Sequence, residues 1–161
     1  MNEWTEFRKA CEELENWLKD RIAFHGIVFE CRTGSPDTID ELRAVPGPLV
    51  PVPSYTGRPD TIYSGGGCNK CLYQAYHDHF HKIGHPSWDF TYPGEYAIAV
   101  DHQREARETG LSDAARRVLW VESWVRVAYH AKWQRFPRNE GLFHWLAYTR
   151  GVHYAIDAEG I

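Results

Sequence analysis

Residues 112–134, SDAARRVLWVESWVRVAYHAKWQ, carry the clearest evidence of fold class in this chain. Ser112 is a favoured N-cap residue, and the Phe136-Pro137 pair stops a helix soon after Gln134. Between these limits the sequence is apolar on almost every side of a helix. Such a helix belongs in the buried centre of its domain, so the stretch predicts a core helix with other helices packed around it.

Helical patterns lie on both sides of this segment. Four more helices are predicted, over residues 3–22, 71–83, 95–108 and 140–150. Their ends coincide with glycines or prolines, and Asn139 is a suitable cap for the last one. Short β-type runs are expected at 27–31 and at VHYAI, residues 152–156. The predicted fold class is therefore mainly α (α+β): a single-domain bundle of about five helices with a small N-terminal β element.

The segment 36–67 is predicted to be an extended connection. It contains six of the nine prolines, and PGPLVPVP at 46–53 suits neither a helix nor a central strand because proline lacks the backbone N–H. We therefore divide the single domain, 1–161, into three parts. These are an N-terminal helix and strand (1–35), the Pro/Gly-rich connection (36–67) and a helical core (68–161).

Composition and charge narrow the class of protein. The net charge of −4 provides no general basic field for nucleic acid, although residues 104–138 hold 8 basic and 4 acidic side chains. We favour a solvated helix face for this local excess, with a nucleic-acid site as the less favoured interpretation. There is no apolar run of about 20 residues and no signal-peptide core, so we expect a soluble cytoplasmic protein.

A Cys-x-x-Cys pair, Cys68 and Cys71, follows three glycines at a predicted helix start. The helix dipole there lowers a thiol pKa, which suits zinc ligation or dithiol redox chemistry. A closed zinc site needs four ligands, and there is no second Cys-x-x-Cys motif, although Cys31 and a histidine are available to complete a set. The pair is therefore structurally incidental, zinc-binding or redox-active, and the sequence leaves these three interpretations open.

The histidine-rich stretch YHDHFHKIGH, residues 76–85, is the main candidate metal site. His77, His81 and His85 are spaced by four, so neighbours in this series share a helix face as a His-x-x-x-His chelate requires. Asp78 is placed to ligate or to orient an imidazole. His79 falls inside the apolar sector and is expected to pack in the core, with His77 and His81 at its border. The predicted metal ligands are His77, Asp78, His81 and His85; a solvated polar face and metal-free acid–base or anion-binding work are the alternatives.

Two carboxylates on later helices are candidate catalytic residues or further ligands. Glu122 lies on an apolar face, where it must be paired, coordinated or protonated. Its partner is either Arg126, one turn along, or a metal shared with His77 and His81. Glu95 is the second candidate. The Glu-x-x-His motifs of di-iron proteins are absent from these helices, which argues against a di-iron oxidase.

The string HDHFHKIGH also resembles the HD-domain metal phosphohydrolases over about ten residues. The resemblance implies a helical fold with His77-Asp78 as the central metal-binding pair. It would need His25 as the upstream histidine and Asp101, Asp113 or Asp157 as the downstream aspartate. The family is not assigned on this resemblance.

Three classes of function follow from these observations. The first is a metal-dependent hydrolase acting on a phosphate or amide bond, with a divalent ion, zinc as first choice, and with Glu95 or Glu122 as ligand or general base. The second is a non-catalytic protein-binding domain of inhibitor or adaptor type. The third is a nucleic-acid binder that uses the 104–138 patch, and the net acidity places it last.

Overall fold

The computed structural model describes residues 2–27, 68–84 and 87–161, and the side chains at 68–71 and 83 lie outside that description. These residues are helical apart from turns and short connections, and none of them forms a strand. The helices are α1 (Glu3–His25), α2 (Cys68–Ile83), α3 (Tyr92–Glu108), α4 (Asp113–Trp120), α5 (Arg126–Trp133), α6 (Glu140–Arg150) and α7 (Val152–Asp157). Among them no helix has both the length and the apolar character needed to cross a membrane.

The mainly helical class is confirmed, whereas one β prediction is wrong. VHYAI is not a strand but α7, which follows α6 directly after Gly151 at φ 98°. Helical winding places Ala155 in the same buried cluster as Phe143 and Ala147, so tertiary packing overrides the β propensity of this short run. The strand predicted at 27–31 lies outside the described residues beyond Ile27, as does the whole 36–67 connection.

The core helix predicted over 112–134 is present, with one departure from regular winding. The Ser112 side chain caps α4 by accepting a hydrogen bond from the backbone N–H of Ala115 at 3.2 Å. A π-helical segment, Val121–Val125, joins α4 to α5, and the N–H of Arg126 reaches back to the carbonyl of Val121. Gln134 then ends α5 in the left-handed conformation at φ 58°.

Backbone contacts divide the chain into two compact units. The first comprises Met1–Leu14 and Ala99–Ile161. Its buried cluster is formed by Val121, Val125, Tyr129, Phe143, Ala147, Ala155 and Ile161. Phe7 of α1 packs edge-on against Trp145 and Tyr148 of α6, with ring centroids 5.5 and 5.2 Å apart. That the whole chain forms a single domain stays a prediction.

The second unit, Glu15–Ile98, contains the end of α1, all of α2 and the start of α3. Its described core residues are Trp17, Leu18, Ile22, Leu72, Tyr73, Tyr76, Phe80, Phe90 and Ile98. Trp17 of α1 packs edge-on against Tyr76 of α2 at 5.2 Å. The apolar side of α2 is thus covered, and the same unit contains the group of polar residues described next.

Candidate metal centre

Two histidines one turn apart on α2 are buried in the second unit. His77 is 1% exposed and His81 is 0% exposed, whereas His79 is only half-buried. The prediction that His79 packs in the core with His77 and His81 at its border is therefore reversed. The start of α3 and Phe90 pack against the side of α2 that bears His77 and His81. The apolar pattern of α2 alone cannot predict this contact.

Glu95 of α3 meets both imidazoles. Its Oε2 lies 2.9 Å from Nε2 of His77, and its Oε1 lies 3.0 Å from Nε2 of His81. The two Nε2 atoms are themselves 3.0 Å apart. Three potential ligand atoms from three buried side chains thus converge on one point, and the residues form a group that could hold a metal ion.

The start of α3 is built in a way that fixes Glu95. The Thr91 hydroxyl accepts a hydrogen bond from the backbone N–H of Gly94 at 3.2 Å and caps the helix. Asp89 in turn accepts from the backbone N–H of Thr91 at 3.0 Å and from its hydroxyl. A Cβ at Gly94 would collide with Asp89, so this tight turn requires glycine. Glu95 then falls in the first helical turn, where the helix dipole stabilises a carboxylate.

The outer nitrogens of both imidazoles contact oxygen atoms. Nδ1 of His81 lies 3.3 Å from the Trp88 carbonyl, which can only accept, so this nitrogen carries the proton. Nδ1 of His77 lies 3.2 Å from the Tyr73 hydroxyl. Phe90 stacks on the His81 ring at 4.2 Å and holds its plane. Metal-binding histidines are oriented by outer hydrogen bonds of this kind, which leave Nε2 free to ligate.

The electrostatics of the group favour a positive charge at its centre. Burial by itself raises the pKa of Glu95, but His81 and His77 more than offset it and hold that pKa well below its usual range. Burial lowers the pKa of His81, yet the Glu95 carboxylate outweighs it, so the pKa of His81 lies above its ordinary value. An ionised carboxylate enclosed with two imidazoles therefore attracts a cation, which is either a proton or a metal ion.

With Glu95 ionised, protons alone leave one unfavourable contact in the group. If both Nε2 atoms carry hydrogen, two donors face each other across 3.0 Å. If only one carries hydrogen, the lone pair of the other faces a carboxylate oxygen at 2.9 or 3.0 Å. A metal ion between the three ligand atoms would relieve the contacts between them. Two metal–nitrogen bonds of about 2.0–2.1 Å at the tetrahedral angle separate the nitrogens by about 3.3–3.4 Å, a few tenths of an ångström more than the observed 3.0 Å.

The other predicted site residues have different surroundings. Glu122 lies in the first unit, where its Oε2 is 2.6 Å from Nε2 of His144 and its Oε1 is 3.8 Å from Arg126. The predicted Arg126 partner is thus present at long range, and His144 was not foreseen. Asp78 is half-buried and does not belong to the His77/His81/Glu95 group. His85, Cys31 and the side chains of Cys68 and Cys71 lie outside the described residues.

Glu95 is one of two candidate carboxylates in the sequence, and the sequence alone does not identify it as the one that meets the two histidines. Nor does the sequence identify the outer contacts made by Tyr73, Trp88 and Phe90. The segment DFTYPGE, residues 89–95, indicates the start of a helix, because Asp and Thr precede Gly and an acidic residue follows in the first turn. The predicted helix begins at Glu95, whereas α3 already begins at Tyr92.

Comparison with known protein families, curated proteins and solved structures finds no match to this chain. The resemblance to HD-domain phosphohydrolases gains no support, because in the described residues His77 is grouped with His81 and Glu95 and not with Asp78.

Proposed function

We propose that this chain is a metal-binding protein in which His77, His81 and Glu95 hold one divalent ion, with zinc as the first choice. The observation that carries the proposal is the convergence of two Nε2 atoms and a carboxylate, with both Nδ1 atoms engaged by oxygen. Two nitrogens and one oxygen suit zinc and other late transition metals, whereas magnesium and calcium prefer oxygen ligands.

The burial of the ligands indicates what the ion does for the fold. The side chains of His77, His81 and Glu95 are 2%, 0% and 3% exposed, so an ion there links α2 to the start of α3 inside the unit. Removing the ion leaves an enclosed carboxylate with only protons to neutralise it. We therefore propose that metal binding contributes directly to the stability of the second unit.

A metal-dependent hydrolase is the activity that this ligand set supports best. Three protein ligands on a tetrahedral ion leave the fourth position for water, as in catalytic zinc sites, and the ion lowers the pKa of that water. The substrate classes we propose are phosphate and amide bonds. In this proposal Glu95 is a ligand, while the roles predicted for Asp78, His85 and Glu122 stay predictions.

Metal content and affinity test the first part of the proposal. The wild-type protein is purified together with three variants, His77→Ala, His81→Ala and Glu95→Gln. Each protein is loaded with zinc, its metal content is measured by mass spectrometry, and its zinc affinity is measured by competition with a chelator. His79→Ala is the matched control, since it removes an imidazole from the same helix outside the group. We expect one zinc per chain in wild type and control and strongly reduced zinc in the other three. Equal zinc content in all five proteins, or none in wild type, would refute the site.

Activity is tested separately. Zinc-loaded wild type and His81→Ala are assayed on an aryl phosphate ester and an aryl amide, with metal-free wild type as the second control. Turnover that requires both zinc and His81 supports the hydrolase. Stoichiometric zinc without turnover of either substrate class eliminates the hydrolase for those bonds and leaves the non-catalytic protein-binding alternative.

A further inference from the structure

A cavity in the first unit carries an inference that is independent of the metal site. It has a volume of about 550 Å³ and lies beside the end of α3, α4 and the α6–α7 junction. Six of its lining residues matter here: Arg107, Asp113, Arg116, Arg117, Trp120 and Tyr148. The volume falls within the range of pockets that hold small molecules.

The cavity has an excess of positive charge. Three arginines and one aspartate line it, and Arg116 is already engaged by the Asp113 carboxylate and by the Leu111 carbonyl at 3.0 Å. Within the described ranges, neither Arg107 nor Arg117 has a carboxylate within 4.0 Å. Two guanidinium groups at one concave surface of an acidic protein attract an anion.

One of these arginines is held in a defined orientation. The Arg117 guanidinium lies over the Tyr148 ring, 4.3 Å from its centroid. Tyr148 is itself fixed by edge-on packing against Phe7 at 5.2 Å. A stacked guanidinium keeps the N–H groups at its edge available, and that edge matches the geometry of a phosphate.

The cavity also offers an aromatic wall. Trp120 is half-buried and lines the cavity at the end of α4, where the π-helical segment begins with Val121, another lining residue. π-Helical segments are frequent at functional sites. An indole ring beside two guanidinium groups suits a ligand that joins an anionic group to a planar ring.

We infer that this cavity binds a nucleotide, with its phosphate at Arg107 and Arg117 and its base against Trp120. Free nucleotide and a nucleotide within a single strand share this chemistry. The limited volume, about 550 Å³, favours the free mononucleotide over an extended strand, which needs a groove that tracks its backbone.

Calorimetric titration of the full chain with adenosine 5′-monophosphate tests the inference, with inorganic phosphate, adenosine and a single-stranded decanucleotide as comparison ligands. Arg107→Gln and Arg117→Gln are the test variants. Arg104→Gln is the matched control for the first, because Arg104 is an exposed arginine of α3 outside the cavity. Arg150→Gln is the control for the second, because Arg150 also lies over a tyrosine, Tyr154, at 5.2 Å.

We expect each test variant to weaken the affinity for adenosine monophosphate by about tenfold or more, as loss of a charged hydrogen bond does, and each control to change it by less than about twofold. Trp120→Leu should reduce the preference for the nucleotide over inorganic phosphate, and its melting temperature shows whether it is folded. Three results would overturn the inference: no binding of the nucleotide at low salt, equal losses in test and control variants, or binding of the decanucleotide alone.

Discussion

Replacing Glu95 by glutamine separates a metal ligand from a simple hydrogen-bonding group, because it removes the charge and keeps the shape. The carboxylate accepts a hydrogen bond from Nε2 of His77 at 2.9 Å and lies 3.0 Å from Nε2 of His81. Without metal, one favourable charged hydrogen bond contributes about 1.5–3 kcal/mol, and a neutral bond from the glutamine amide returns about 1 kcal/mol. In the presence of a metal chelator we therefore expect Glu95→Gln to lower the free energy of unfolding by about 0.5–2 kcal/mol.

Zinc adds a second and distinct effect. At a free concentration of about 1,000 times the dissociation constant, a ligand that binds only the folded state adds about 4.1 kcal/mol to the free energy of unfolding. For a chain of this size that corresponds to a rise in melting temperature of about 8–16 °C. Wild type should show this rise, and Glu95→Gln should lose most of it because an amide oxygen is a weak zinc ligand.

The assay is urea denaturation followed by circular dichroism, in chelator and in buffered zinc, for wild type, Glu95→Gln and His79→Ala. The control should keep the full zinc response whatever its own stability. An equal zinc response in Glu95→Gln and wild type would show that Glu95 is not a ligand. If the stability of the wild type does not change with zinc at all, His77, His81 and Glu95 form a hydrogen-bonded group and not a metal site.

Three further predictions concern the rest of the chain. Arg126→Met should lower the free energy of unfolding, measured by urea denaturation, by about 3–5 kcal/mol. The reason is that Arg126 is 1% exposed and its removal leaves the Glu140 carboxylate without its bidentate partner. The exposed control Arg104→Met should lower it by less than about 1 kcal/mol. Asn139→Ala should cost about 1 kcal/mol by removing the cap of α6, and Asn139→Asp, which keeps the acceptor, should be close to neutral in the same experiment. Burial raises the pKa of the Cys11 thiol from an ordinary 9.0 to about 11. At pH 8, Cys11 of the native protein should therefore react with iodoacetamide about 100-fold more slowly than Cys11 of the protein in urea, as measured by peptide mass mapping. Equal rates in the two conditions would contradict the assigned burial.

Much of the helical architecture could be predicted from local patterns. The caps at Ser112 and Asn139 and the helix end at Gly151 are confirmed, because capping and left-handed conformations depend on the residue itself and its near neighbours. The α7 helix was missed for the opposite reason. Six residues carry too weak a local preference, and packing of Ala155 into the buried cluster selects the helix.

The metal centre, too, could be predicted from the sequence only in part. The spacing of His77 and His81 predicts a shared helix face, since four residues complete about one turn, and the structure brings their Nε2 atoms to 3.0 Å. Which side of α2 is buried could not be obtained from that spacing. Nor could the choice of carboxylate, because Glu95 reaches the histidines through a turn closed by Asp89, Thr91 and Gly94, while Glu122 contacts His144 instead. Periodicity describes one element at a time, whereas burial and ligand partners arise from contacts between elements.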